Sequence, residues 1–177
     1  MTAIHRVVVG VTESGGSLQA LRYGADLARQ HRAALIAVTA WVPPGGDYAD
    51  RRHPSTALRA VWRESARQRL QTAIGLAFGG DPAGLEFAAV VLRGEPGATL
   101  VNVANRADDV LVIGAGRRGW PRRWLSCRVS RYCLAHADCP VVAVPPSPLA
   151  KAGRRLLGWA YRHRGINLSE LNQPSAH

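Results

Sequence analysis

Short β-branched runs alternate along this chain with stretches whose apolar residues recur every three or four positions, the pattern of repeated βαβ units. The first run, Arg6-Val-Val-Val-Gly-Val11, leads through a Gly/Ser turn to a helix from about Ser17, a candidate N-cap, with Leu18, Leu21, Ala25 and Ala28 on its inner stripe. Residues 34–40 give a second strand, and Trp41 opens a Pro/Gly-rich loop over residues 42–54. Leu58, Val61, Trp62, Leu70, Ala73, Ile74 and Ala77 mark a long helix that Gly79-Gly80 ends. Strand three is expected over 85–92, a short helix after Pro96 carries Leu100, Val101 and Ala104, and strand four spans 109–114. An Arg-rich loop then leads to a helix near 128–136 and to strand five over 140–144. Strands joined by helical crossovers lie parallel with right-handed connections. The expected fold is therefore α/β, a doubly wound three-layer sandwich, with its ligand crevice past the carboxyl ends of the strands where strand order reverses.

At 177 residues the chain fits one globular domain, expected over 1–147, with a basic C-terminal extension over 148–177. Its longest uncharged apolar run, after Asp109, is far below the roughly 20 residues of a membrane span. The N-terminus enters a strand-like run at once, without room for a cleavable leader, so a cytoplasmic location is expected. Lys and Arg number 23 against 12 acids, giving +11, and Lys151 is the one lysine. Such a skew arises from a GC-rich genome or from an anionic partner such as nucleic acid. The charge is focused on a loop, where residues 114–131 hold six Arg and no acid, and on the tail. In that tail, Leu156, Leu157, Ala160 and Tyr161 share one face of a helix expected over 152–164, suited to packing on its own domain or a partner subunit rather than on a membrane.

Motifs for chemistry are sparse. No Walker A loop exists, because no glycine-rich strand-to-helix turn precedes Lys151. Gly114-Ala-Gly116-Arg-Arg-Gly119 has G-x-G-x-x-G spacing, but Pro121 and further arginines intervene before the helix and no acid follows the next strand to hold a ribose. Cys127, Cys133 and Cys139 stand six apart, neither a CxxC pair nor a zinc spacing, and Cys133 reads as a small buried hydrophobe. The six histidines form no ligand pair, and His136 at a helix end is placed to bond terminal carbonyls. No nucleophile, base and orienting group form a catalytic set, and no metal site is expected.

Arg6-Val-Val-Val-Gly-Val, Gly94-Glu-Pro-Gly, Ala107-Asp-Asp-Val-Leu-Val-Ile-Gly and, above all, Val129-Ser-Arg-Tyr-Cys-Leu-Ala-His-Ala-Asp-Cys-Pro-Val-Val142 resemble the universal stress protein family. The resemblance covers residues 5 to about 146. It implies a Rossmann-like five-stranded parallel sheet of order 3-2-1-4-5. It also implies a homodimer through strand five, Val141, Val142, Ala143 and Val144, and, in members that bind ATP, a nucleotide crevice between strands one and four.

Those members carry G-x-x-G, nine residues, then Gly-Ser or Gly-Thr, where glycines let backbone approach phosphates at a helix N-terminus. With the register fixed on Cys139-Pro140, Gly114 matches the first glycine, but Arg117, Cys127 and Arg128 replace the second glycine, the third glycine and the hydroxyl residue. The family's Asp after strand one falls on Thr12. A register starting at Gly116 and Gly119 would end on Val129-Ser130 but breaks the alignment at Cys139-Pro140. The degenerate crevice is thus expected to involve Val11, Thr12, Ala40, Gly114, Gly116, Arg117, Cys127, Arg128 and Val129. If the glycine sites need positive φ, each Cβ costs about 1–2 kcal/mol. The resemblance points to a dimeric stress-response module with an unidentified protein partner, without a cofactor and without ATP bound in the usual mode. Two alternatives stand beside it: an atypical nucleotide binder, with weak ATPase activity only if nucleotide binding is retained, and a polyanion binder. The latter would use Arg117, Arg118, Arg122, Arg123, Arg128 and Arg131 with Trp120 and Trp124 interleaved.

Overall fold

The computed structural model describes residues 3–12, 15–52, 54–80, 82, 84–115 and 123–146. Its elements are β1 (Arg6–Gly10), α1 (Gly15–His31), β2 (Ala34–Trp41), α2 (Gly46–Arg52), α3 (Thr56–Phe78), β3 (Phe87–Arg93), α4 (Pro96–Val103), β4 (Asp109–Gly114), α5 (Arg123–His136) and β5 (Val141–Val144). The strands form one sheet of order β3-β2-β1-β4-β5, and every neighbouring pair is parallel, as the alternation requires. The extension, including the helix expected over 152–164, lies outside the described residues.

Strand side chains alternate between faces, so β1 divides its valines between two cores. Val7 and Val9 join Leu21, Ala25, Ala28, Leu70 and Ile74 from α1 and α3. Val8 faces the other way, onto Leu100 of α4 and Cys133 of α5. Helix α1 comes so close to the sheet that a Cβ on Gly24 would stand 2.5 Å from Val9 Cγ2. At the amino end, Arg6 grips the buried Asp109 through Nε at 2.7 Å and Nη2 at 2.6 Å, tying β1 to β4. His5 adds an exposed contact to Asp108 at 2.7 Å.

Several boundaries move from expectation. Helix α1 starts at Gly15, and Ser17 is no N-cap; its Oγ instead accepts the Thr12 N–H at 2.8 Å and orders the turn. Strand β3 runs two residues later at its start, α5 begins at Arg123, and the 42–54 loop contains α2. Ser55 caps α3, accepting from Leu58 N, and Gly79 ends it at φ 77. The inner stripe expected for α3 fails in its first half, where Leu58 is 50% and Val61 62% exposed. At about 1.5 Å per residue α3 is about 35 Å long, whereas an eight-residue strand spans about 26 Å. Its buried residues, Ala66, Leu70, Ala73 and Ile74, lie where the sheet is; the first turns project past the carboxyl edge.

Candidate functional site

Strand β1 runs on past Gly10 as Val11 and Thr12, held to β2 by Val11 N–H to Val38 O at 2.8 Å and by Thr39 Oγ1 to Val11 O at 3.2 Å. Between these two strand ends and α3 lies a cavity of about 230 Å³, lined by Val11, Thr12, Thr39, Ala40 and Arg69. Small side chains on both strands leave the space, and Arg69 reaches it from α3. Sites for drug-sized ligands occupy about 300–1,000 Å³, so this one suits a nucleoside-sized group or smaller. Its lining offers hydroxyls and a guanidinium, hydrogen-bonding groups without a nucleophile and base in sequence.

On the other flank of β1 backbone packs on backbone. Gly114 ends β4 against the α1 N-terminus, where a Cβ would stand 2.8 Å from Gly16 C and 3.1 Å from Ser17 N. The next residue continues the β4–β5 ladder, Ala115 N–H bonding Val144 O at 2.7 Å. The glycine is required here by backbone packed on backbone.

Of the expected site residues, the structure brings Val11, Thr12 and Ala40 into one cavity and places Gly114 on the opposite flank of β1. Cys127 and Arg128 fall inside α5, beyond its first turn, where the backbone is helical. The strain argument from positive φ therefore does not hold at those two positions, and their N–H groups belong to the helical ladder rather than to its open end. Arg128 is exposed and Val129 packs on the α4–α5 core. Gly116 and Arg117 lie outside the described residues. Of the Arg-rich cluster, Arg123 opens α5 and Arg128 and Arg131 are exposed on it, while Arg117, Arg118 and Arg122 lie outside the described residues. Thr39 and Arg69 were not legible as site residues: one is a strand residue like its neighbours, the other a flank of a helical stripe.

The remaining reactive groups are quiet. Cys133 is fully buried, and burial pushes its thiol up to about 11; burial raises Cys139 as well. Both are thiols at neutral pH and pack as apolar groups. His136 donates Nδ1–H to Tyr132 O at 2.9 Å and stacks on that ring, as its place at a helix end suggests. Among the described residues no cluster of His, Cys, Asp or Glu could hold a metal ion, and no helix is long and apolar enough to cross a membrane.

Residues 3–145 match the model of the universal stress protein family. A universal stress protein solved in complex with cAMP is similar to this chain with 24% identity and a TM-score of 0.62, over 82% of this chain and 99% of that one. The universal stress protein from Archaeoglobus fulgidus in complex with dAMP is similar at 22% identity and TM-score 0.55, over 81% and 99%. A universal stress protein family member from Burkholderia pseudomallei is similar at 21% identity and TM-score 0.53, over 83% and 99%. No curated protein matches.

Proposed function

This chain belongs to the universal stress protein family, and from that premise we propose that it is a ligand-responsive regulatory module without catalytic activity. It takes a nucleoside-sized group in the β1–β2 cavity and does not bind ATP in the mode of the family's ATP-binding members. The carrying observation is the asymmetry about β1: space lined by Val11, Thr12, Thr39, Ala40 and Arg69 on one flank, and Gly114 pressed onto Gly16 on the other. Similar proteins solved with cAMP and dAMP supply the ligand class. Arg117, Cys127 and Arg128, in place of two glycines and a hydroxyl, remove the cradle for a longer phosphate chain.

Calorimetry with adenosine, AMP, cAMP and ATP tests this reading. Binding of AMP or cAMP at least as tight as that of ATP, weakened in Ala40→Phe, is the expected result. Micromolar ATP that binds tenfold tighter than AMP and is lost in Arg128→Ala would overturn it. Grafting Thr12→Asp, Arg117→Gly, Cys127→Gly and Arg128→Ser together is expected to raise ATP affinity.

The module acts as a homodimer through β5. Among the described residues that strand ends the sheet, an edge suited to pairing with a symmetry mate, and its valines are only half-buried. Light scattering at micromolar concentration should return twice 19.0 kDa; a monomer mass would refute it.

A further inference from the structure

Helix α2 is held differently from the other described helices. Among the described residues no helix or strand packs closely along it, Tyr48 stands 66% exposed, and the one buried side chain described on it is the carboxylate of Asp50. Charge fastens it instead. Asp50 accepts from Arg59 Nε at 3.0 and 2.9 Å and from Arg93 Nη2 at 2.8 Å, and Arg93 also reaches Asp47 at 2.6 Å. Both arginines stand on elements anchored elsewhere: Arg59 in the capped first turn of α3, Arg93 at the end of β3.

The connection into α2 carries two adjacent glycines in a turn that Gly46 N–H closes onto Pro43 O at 2.8 Å. Gly45 and Gly46 have φ of 83° and 75°, and a Cβ at Gly46 would meet nothing within 4 Å. Glycine is there for its backbone freedom and not for want of space. Arg93 pairs in register with Trp41, the residue after the cavity-lining Ala40, so the latch closes beside the cavity on its β3 flank.

We propose that α2 is a charge-latched flap, turning on Gly45-Gly46 and fastened by Asp47 and Asp50 to Arg59 and Arg93, that opens while the sheet stays folded. Segments with little apolar burial open locally at low free energy, and although Asp50 is buried, its partners Arg59 and Arg93 and the neighbouring Asp47 are partly exposed, so salt weakens the latch. The flap's behaviour is independent of what the cavity binds.

Hydrogen exchange of the full chain at pH 7, read by mass spectrometry in 50 mM and 1 M NaCl, tests it. Exchange over residues 44–55 is expected to rise about fivefold or more in high salt, and likewise in Asp50→Asn at low salt, with β1 and β4 unchanged. A segment whose exchange responds to neither change overturns the proposal. If Asp50→Asn also speeds exchange in β1 and β4, Asp47→Asn decides, because that carboxylate is 56% exposed. Faster exchange confined to 44–55 in that variant supports the flap, and no change refutes it.

Discussion

The two flanks of β1 at its carboxyl end start from the same strand and come out opposite. Towards β2, the small side chains of Thr39 and Ala40 and the overhanging α3 leave a cavity; towards β4, the missing side chain of Gly114 lets the α1 backbone in. A small residue at a strand end therefore makes room for whatever arrives first. Where another part of the chain arrives, the glycine is a packing requirement, and where nothing does, a site remains.

The amino end of the same strands calibrates this comparison and carries the largest expected effect. Arg6→Ala would leave the carboxylate of Asp109, whose side chain is fully buried, without its bidentate partner, a loss of about 3–5 kcal/mol when a buried pair is broken. Thermal or urea unfolding measures it, and the cavity's ligand affinity in the still-folded fraction should stay unchanged. Gly114→Ala comes next. Its Cβ must displace backbone, so a loss of about 1–3 kcal/mol is expected; a fully stable variant would show that the β4 flank has room after all. Ala40→Phe fills the cavity on the other flank, where it should reduce nucleoside affinity tenfold or more, about 1.4 kcal/mol, while shifting stability less than Gly114→Ala does. Arg128→Ala, exposed on α5, is expected to stay within about 0.5 kcal/mol of the parent in stability and to leave ligand affinity unaltered.

Acid gives the smallest effect and reaches both ends of the sheet. The hydrogen bond from Arg59 holds the Asp50 carboxyl below its ordinary range, helped by Arg93, with Asp47 the nearby like charge. His5 does the same for Asp108, with Arg106 contributing. Folded values below the unfolded one of about 3.9 stabilise the folded chain above that pH. That stability is lost as pH falls through the lowered values. The melting temperature should hold between pH 7 and about 5 and decline below about 4. A rise on acidification to pH 3 would contradict these pairings.

The alternation of β-branched runs and helical periods carried the parallel, doubly wound sheet, because it follows from burial patterns that repeat over many residues, whereas the order 3-2-1-4-5 was legible only through the family resemblance. Gly79 as a helix stop and His136 against a terminal carbonyl were legible for the same local reason. Leu58 and Val61 were not, since periodicity shows which face of a helix is apolar but not where the sheet beneath it ends. Helix α2 escaped because ion pairs to Arg59 and Arg93 fasten it, and pairs 9 and 43 residues apart leave no periodic trace. The cavity was half legible: Val11, Thr12 and Ala40 lie at strand ends that the topology marks, whereas Arg69 enters from a helix that the strands do not predict.

Amide chemical-shift mapping during an AMP titration tests the asymmetry most directly. The account predicts shifts at Val11, Thr12, Thr39 and Ala40, with Gly114, Ala115 and the α5 residues from Arg128 onward unmoved. Shifts centred on Gly114, Ala115 and Arg128, with Thr39 and Ala40 silent, would contradict it.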